Sequence, residues 1–121
     1  MKSGSLWITH LSYELSKRVY SEISAWSSAD RRHVGDQWIR ATDSIGANIV
    51  EGHGRKHGGD SLRFYSIAAG SLEESMYWLR IARDRGLVDE PTSRTLFALL
   101  TRLSRGLTNF IRKAEKRTTE R

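Results

Sequence analysis

The chain contains no cysteine. That excludes disulfides, thiol nucleophiles and thiolate metal sites together. It contains one proline, Pro91, so helices can run long without interruption. No apolar run approaches the ~18 residues a membrane-spanning helix needs, and MKSGSLWITH lacks the apolar stretch of a signal peptide. A cytoplasmic protein with no membrane role is expected. The C-terminal quarter is poor in acid. Residues 91–121 hold eight basic residues and two acidic ones, Glu115 and Glu120. The first ninety residues hold twelve of each sign, so this last segment carries the whole net charge of +6. A localised basic excess favours anionic partners.

The 121 residues amount to one domain, residues 1–121. Apolar residues recur every three or four positions in four blocks, at about 6–25, 30–52, 60–85 and 91–116. In the first, Ile8, Leu11, Leu15, Val19 and Ile23 share a face. In the second, Val34, Trp38, Ile45 and Ile49 do. The third carries a broad arc around Leu62, Tyr65, Leu72 and Leu79, with Trp78 on its far side. The fourth is leucine-rich from Leu96 to Leu107. Ser28 or Asp30, Asp60 or Ser61, and Asp89 are the expected N-caps, and Gly86 a natural stop. The last six residues, KRTTER, are expected to fray. No segment alternates with the period of a strand. Four amphipathic segments with short connections predict an all-α, antiparallel up-down-up-down four-helix bundle.

The string QWIRATDSIGANIVEGHGR (37–55) resembles a known family. These are small four-helix-bundle proteins first noticed as reading frames inside intervening sequences of bacterial large-subunit ribosomal RNA genes. The resemblance rests on Gln37, Arg40, Ser44-Ile45, Asn48-Ile49, Glu51-Gly52 and Gly54-Arg55. It continues through RFYSIAAGSLEES (63–75) and reaches back to Leu6-Trp7 and Val19-Tyr20. The chain departs from the family pattern at Gly46 and Val50, where proline and alanine are common, and in SAWSSADRR, which lacks a common proline. The resemblance implies a ring-like homopentamer without known enzymatic activity. It also points to a relative, the accessory variability protein of diversity-generating retroelements, a basic pentamer that engages nucleic acid and a reverse transcriptase. A nucleic-acid enzyme is therefore an expected class of partner, beside RNA or DNA.

Candidate sites follow from the residues. At 100° per residue, Gln37, Ala41, Ser44, Asn48 and Glu51 form a small, polar seam about 90° from the apolar one, with Arg40 beside it. It reads either as a hydrogen-bonded network within the bundle or at a subunit interface, or as a solvated face. Trp78 is a further candidate for a subunit contact. His53 and His57 have the i, i+4 spacing of metal ligands, but the surrounding glycines argue against a helix there, so no metal is expected. The loop lacks the Gly-Lys-Ser/Thr of a P-loop, and no cofactor is expected. Arg55 and Lys56 remain candidates for an anion contact; otherwise the loop is simply one that needs positive φ.

In the fourth block, Arg94, Arg102, Arg105, Arg112, Lys113 and Lys116 lie away from the leucine face. From Arg94 to Lys116 is about 33 Å at 1.5 Å per residue, the scale of a nucleic-acid backbone track. This face has no aromatic of its own, so binding is expected to be directed at phosphates and sensitive to salt, without base stacking. The competing reading is a solvated face whose cations complement the helix dipole. No nucleophile elbow, His-Glu-x-x-His or paired carboxylates occur, so no catalytic residue is expected. Two functions stand: a non-enzymatic oligomer that binds RNA or DNA through its last helix, or a protein–protein scaffold with no nucleic-acid role.

Overall fold

The computed structural model describes residues 3–119, with side chains from Trp7 onward; Met1, Lys2, Glu120 and Arg121 lie outside the described residues. The elements are α1 (Ser3–Ser24), α2 (Ser28–Asp30), a π-helical turn (Arg31–Gly35), α3 (Asp36–His53), α4 (Gly58–Asp84) and α5 (Glu90–Thr119). The junction residues Arg31, Gly35 and Asp36 all keep right-handed helical dihedrals, so α2, the π turn and α3 form one continuous rod. The chain is therefore a bundle of four rods, and no strand occurs among the described residues. Each neighbour in space is α1–α3, α3–α4, α4–α5 or α5–α1. The α3–α4 and α4–α5 seams are extensive, whereas α5–α1 is slight. That imbalance leaves a furrow open between the first and last helices.

The stripes read from periodicity meet in one core. Ile8, Leu15, Trp38, Ile45, Ile49, Leu72, Leu79, Leu100, Leu103 and Leu107 are fully buried. Each such side chain contributes about 1.5–3 kcal/mol relative to exposure. The π turn buries the consecutive residues Val34 and Gly35 toward α1 while Arg31, Arg32 and His33 stay exposed.

The caps differ in part from expectation. Ser27 caps α2, not Ser28 or Asp30: its Oγ accepts from the Asp30 N–H at 3.2 Å, and its hydroxyl lies 3.0 Å from the Asp30 carboxylate. Neither Asp60 nor Ser61 caps α4, which begins earlier at Gly58; the Ser61 hydroxyl instead donates to the Gly52 carbonyl at 2.9 Å and closes the loop from inside. Asp89 does cap α5, accepting from Thr92 N–H at 2.9 Å. Gly86 takes φ +72°, the left-handed region that ends α4. Helical structure extends through Thr119, so most of the segment expected to fray is ordered helix. Trp26 stacks on Trp38 with centroids 5.9 Å apart, and its indole N–H donates to the Leu87 carbonyl at 3.1 Å. The loop after α1 is thereby tied to the loop before α5.

Candidate nucleic-acid interface

The outer face of α5 follows from its own periodicity. With Leu96, Leu100, Leu103 and Leu107 facing inward, a 100° step places Arg94, Arg102, Arg105, Arg112, Lys113 and Lys116 within a contiguous arc of about 100° on the opposite side. All six are exposed. Arg94 pairs with Glu90 at 3.7 Å across one turn. Lys113 Nζ stands 5.7 Å from the Phe110 ring centroid. Arg102, Arg105 and Arg112 have no carboxylate partner among the described residues. The middle of the arc therefore carries uncompensated charge.

An aromatic side chain does border this face, contrary to the expectation from α5 alone. Trp7 of α1 lies across the furrow against Gly106. A Cβ at Gly106 would stand 2.7 Å from Trp7 Cη2, 2.9 Å from Trp7 Cζ2 and 2.8 Å from Ile8 Cδ1, so only glycine admits the indole edge there. Trp7, Arg102, Arg105, Gly106 and Asn109 together line a shallow cleft of about 330 Å³. Trp7 remains 43% exposed. Sequence reasoning missed Trp7, Gly106 and Asn109. The available signal was Gly106, a glycine inside a leucine-rich helix, where it costs about 1 kcal/mol relative to alanine unless another group needs the space.

Arg55 and Lys56 lie in the loop that packs on the C-terminal part of α5 through Gly58. The adjoining Gly58 packs so closely on α5 that an added Cβ would lie 2.9 Å from the Ala114 carbonyl and 3.1 Å from Arg117 Cβ. Lys56 is exposed, whereas the Arg55 guanidinium is held by Glu51 at 3.1 Å and lies 4.6 Å from the Phe64 ring centroid. His53 ends α3 and His57 lies beyond its end, so the two do not share a helical face. No cluster of three or more acidic or histidine side chains suited to a metal occurs among the described residues.

The polar seam divides. Ser44 and Asn48 are half-buried between α3 and α4: the Ser44 and Ser71 hydroxyls lie 2.8 Å apart, and Asn48 Nδ2 donates to the Ser44 carbonyl and hydroxyl at 2.8 and 3.0 Å. One turn away, Thr42 and Ser75 join as a buried pair at 2.8 Å. Gln37, Arg40 and Glu51 are exposed. Trp78 is half-buried, with its indole N–H donating to Glu74 at 3.1 Å and Tyr77 edge-on at 5.2 Å.

Residues 5–109 match the family model described as 23S rRNA-intervening sequence protein. Among solved structures, the bundle superposes on a protein of unknown function of the S23 ribosomal protein family from Bacteroides thetaiotaomicron. That match has a TM-score of 0.83 and 20% identity, and covers 90% of this chain and 98% of the other. The likeness shows the fold. No curated protein matches the chain.

Proposed function

The chain belongs to the family of 23S rRNA-intervening sequence proteins, and from that premise we propose that it is a cytoplasmic, non-enzymatic homo-oligomer whose α5 face binds RNA or DNA backbone. The observation that carries this reading is the exposed basic arc, where Arg102, Arg105 and Arg112 lack counter-charges among the described residues. A phosphate backbone supplies them, and the release of its condensed cations adds to the driving force. Assembly repeats the arc and sums its field. The family resemblance favours a ring of five and a nucleic-acid enzyme such as a reverse transcriptase as a further partner.

Fluorescence anisotropy with a labelled RNA tests the reading. Affinity should fall steeply between about 50 and 200 mM salt. Arg105→Glu, Arg112→Glu and Lys116→Glu introduced together should abolish binding; unchanged affinity in that variant would refute the reading. Light scattering tests the assembly, and a 13.8 kDa species at micromolar concentration would exclude it.

A second reading, a protein–protein scaffold, has its own support. Tyr13, Tyr20, Val50, Ile67 and Tyr77 are large apolar or aromatic residues that stay between 45% and 64% exposed. In that case the triple reversal leaves partner binding intact.

A further inference from the structure

We propose that the cleft lined by Trp7, Arg102, Arg105 and Asn109 is a nucleotide-binding subsite that stacks one base of a single-stranded polynucleotide on the Trp7 indole. This rests on the electrostatic reading above and adds to it a preference for unpaired strands.

The seating of Trp7 motivates the inference. Trp38 shows what this chain does with a tryptophan used only for packing: it is 0% exposed. Trp7 instead presses one edge of its benzene ring onto Gly106 and leaves 43% of its surface open beside the basic face. The glycine that admits it lies in the interior of a continuous 30-residue helix. Alanine at 106 would favour the helix, but its Cβ would meet Trp7 and Ile8 alike, so the glycine serves the seating of both.

The chemistry of the walls fits a nucleotide. Among the described residues no cation stands over the Trp7 ring, although Lys17, Arg55, Arg63, Arg83 and Lys113 all approach other aromatic rings. Arg102 and Arg105 are not engaged by a carboxylate, and Asn109 has no hydrogen-bond partner, among the described residues. Among the described residues no acidic side chain lines the cleft. A flat ring, two guanidinium groups and an amide thus border one cleft. A base stacks on the ring, the adjoining phosphates meet the arginines, and the amide offers both a donor and an acceptor to the base edge. From Arg102 to Asn109 is about 10 Å along the helix, the scale of a nucleotide. Stacking needs an unpaired base, because in a duplex both base faces are already covered. The second of the α1–α5 clefts, near Arg18 and Pro91, includes Glu22 and no aromatic ring, and lacks these features.

The test compares three labelled or competing probes: single-stranded oligouridylate, an RNA duplex, and inorganic polyphosphate, which has charge but no bases. Trp7→Leu should weaken oligouridylate binding about 5- to 100-fold, with Trp7→Phe retaining most of it. Neither substitution should alter affinity for duplex or polyphosphate. On the unmutated protein, where folding is not in question, the indole N–H resonance of Trp7 should shift on titration with oligouridylate while that of buried Trp38 stays fixed. If Trp7→Leu weakens all three probes equally or none, or if the Trp7 resonance does not move at saturation, the stacking site is refuted while the electrostatic reading stands. If the unmutated protein binds none of the three at about 50 mM salt, the electrostatic reading itself fails, and the subsite with it.

Discussion

Nδ1 of His53, on the last residue of α3, lies 2.6 Å from the Tyr65 hydroxyl on α4. Both rings pack on Phe110 of α5, with centroids 5.0 and 5.8 Å away. Three rods are thus pinned together at the end of the bundle where the basic face finishes. Burial pushes the His53 imidazolium below its ordinary range and pushes the Tyr65 phenol up, with Arg117 opposing the latter. Each group is therefore favoured in its neutral form, and the neutral pair shares one hydrogen bond whose donor is set by the imidazole tautomer. His53 Nε2 is buried and has no hydrogen-bond partner among the described residues.

Stability should consequently peak between neutrality and mild alkali. The folded pKa of His53 lies below the unfolded value of about 6.5, so its contribution is complete above that pH and is lost as pH falls through the folded value. The raised phenol works oppositely: its contribution is complete below about pH 10 and is lost as pH rises through the folded value. Urea unfolding from pH 5 to pH 8 should show rising stability in the unmutated protein and a flatter profile in His53→Gln. Tyr65→Phe should cost about 0.5–1.5 kcal/mol at neutral pH, the worth of one hydrogen bond.

The glycines should separate into opposite classes on replacement by alanine. At Gly70, in the interior of α4, an added Cβ meets nothing within 4 Å, so Gly70→Ala should stabilise by up to about 1 kcal/mol through helix propensity. At Gly52 the Cβ would overlap the Tyr65 ring, including Cδ1 at 2.7 Å, and Tyr65 is itself buried and bonded to His53. Gly52→Ala should destabilise by about 1–3 kcal/mol. Thermal melts of the two variants check both signs.

Helix positions were legible in the sequence wherever one periodic stripe sufficed. Ile8 to Ile23 and Leu96 to Leu107 announce their buried faces at spacings of three and four, and these faces form the core. The basic arc was legible for the same reason, since it is the complement of the leucine stripe on one helix. Relationships between helices were not. Trp7 reads as part of an opening dipeptide, and only the slight α1–α5 seam brings it to Gly106. Ser61 has the composition and position of a cap, but Gly52 offers its carbonyl from the preceding helix. In the seam from Gln37 to Glu51, small and polar residues share one stripe, yet α4 covers its middle and leaves its ends to solvent. Periodicity cannot say where along a stripe a neighbour lies.

The Thr42–Ser75 pair should show coupling that neither single substitution reveals. The Thr42 hydroxyl donates to the Trp38 carbonyl at 2.8 Å, which uses its only proton. Ser75, 2.8 Å away, is therefore the donor between them. Both residues are at most 1% exposed, so water cannot take either partner's place. Ser75→Ala removes a donor but leaves Thr42 bonded to Trp38, and should cost about 0.5–1.5 kcal/mol. Thr42→Val removes the acceptor and leaves the buried Ser75 hydroxyl without this partner, and should cost more, about 1–3 kcal/mol. The double variant removes both polar groups at once and should be closer to the unmutated protein than the sum of the single losses. A positive coupling in a double-mutant cycle by urea denaturation checks this. Strict additivity would mean that the hydroxyl pair contributes nothing to the α3–α4 seam beyond the space it fills.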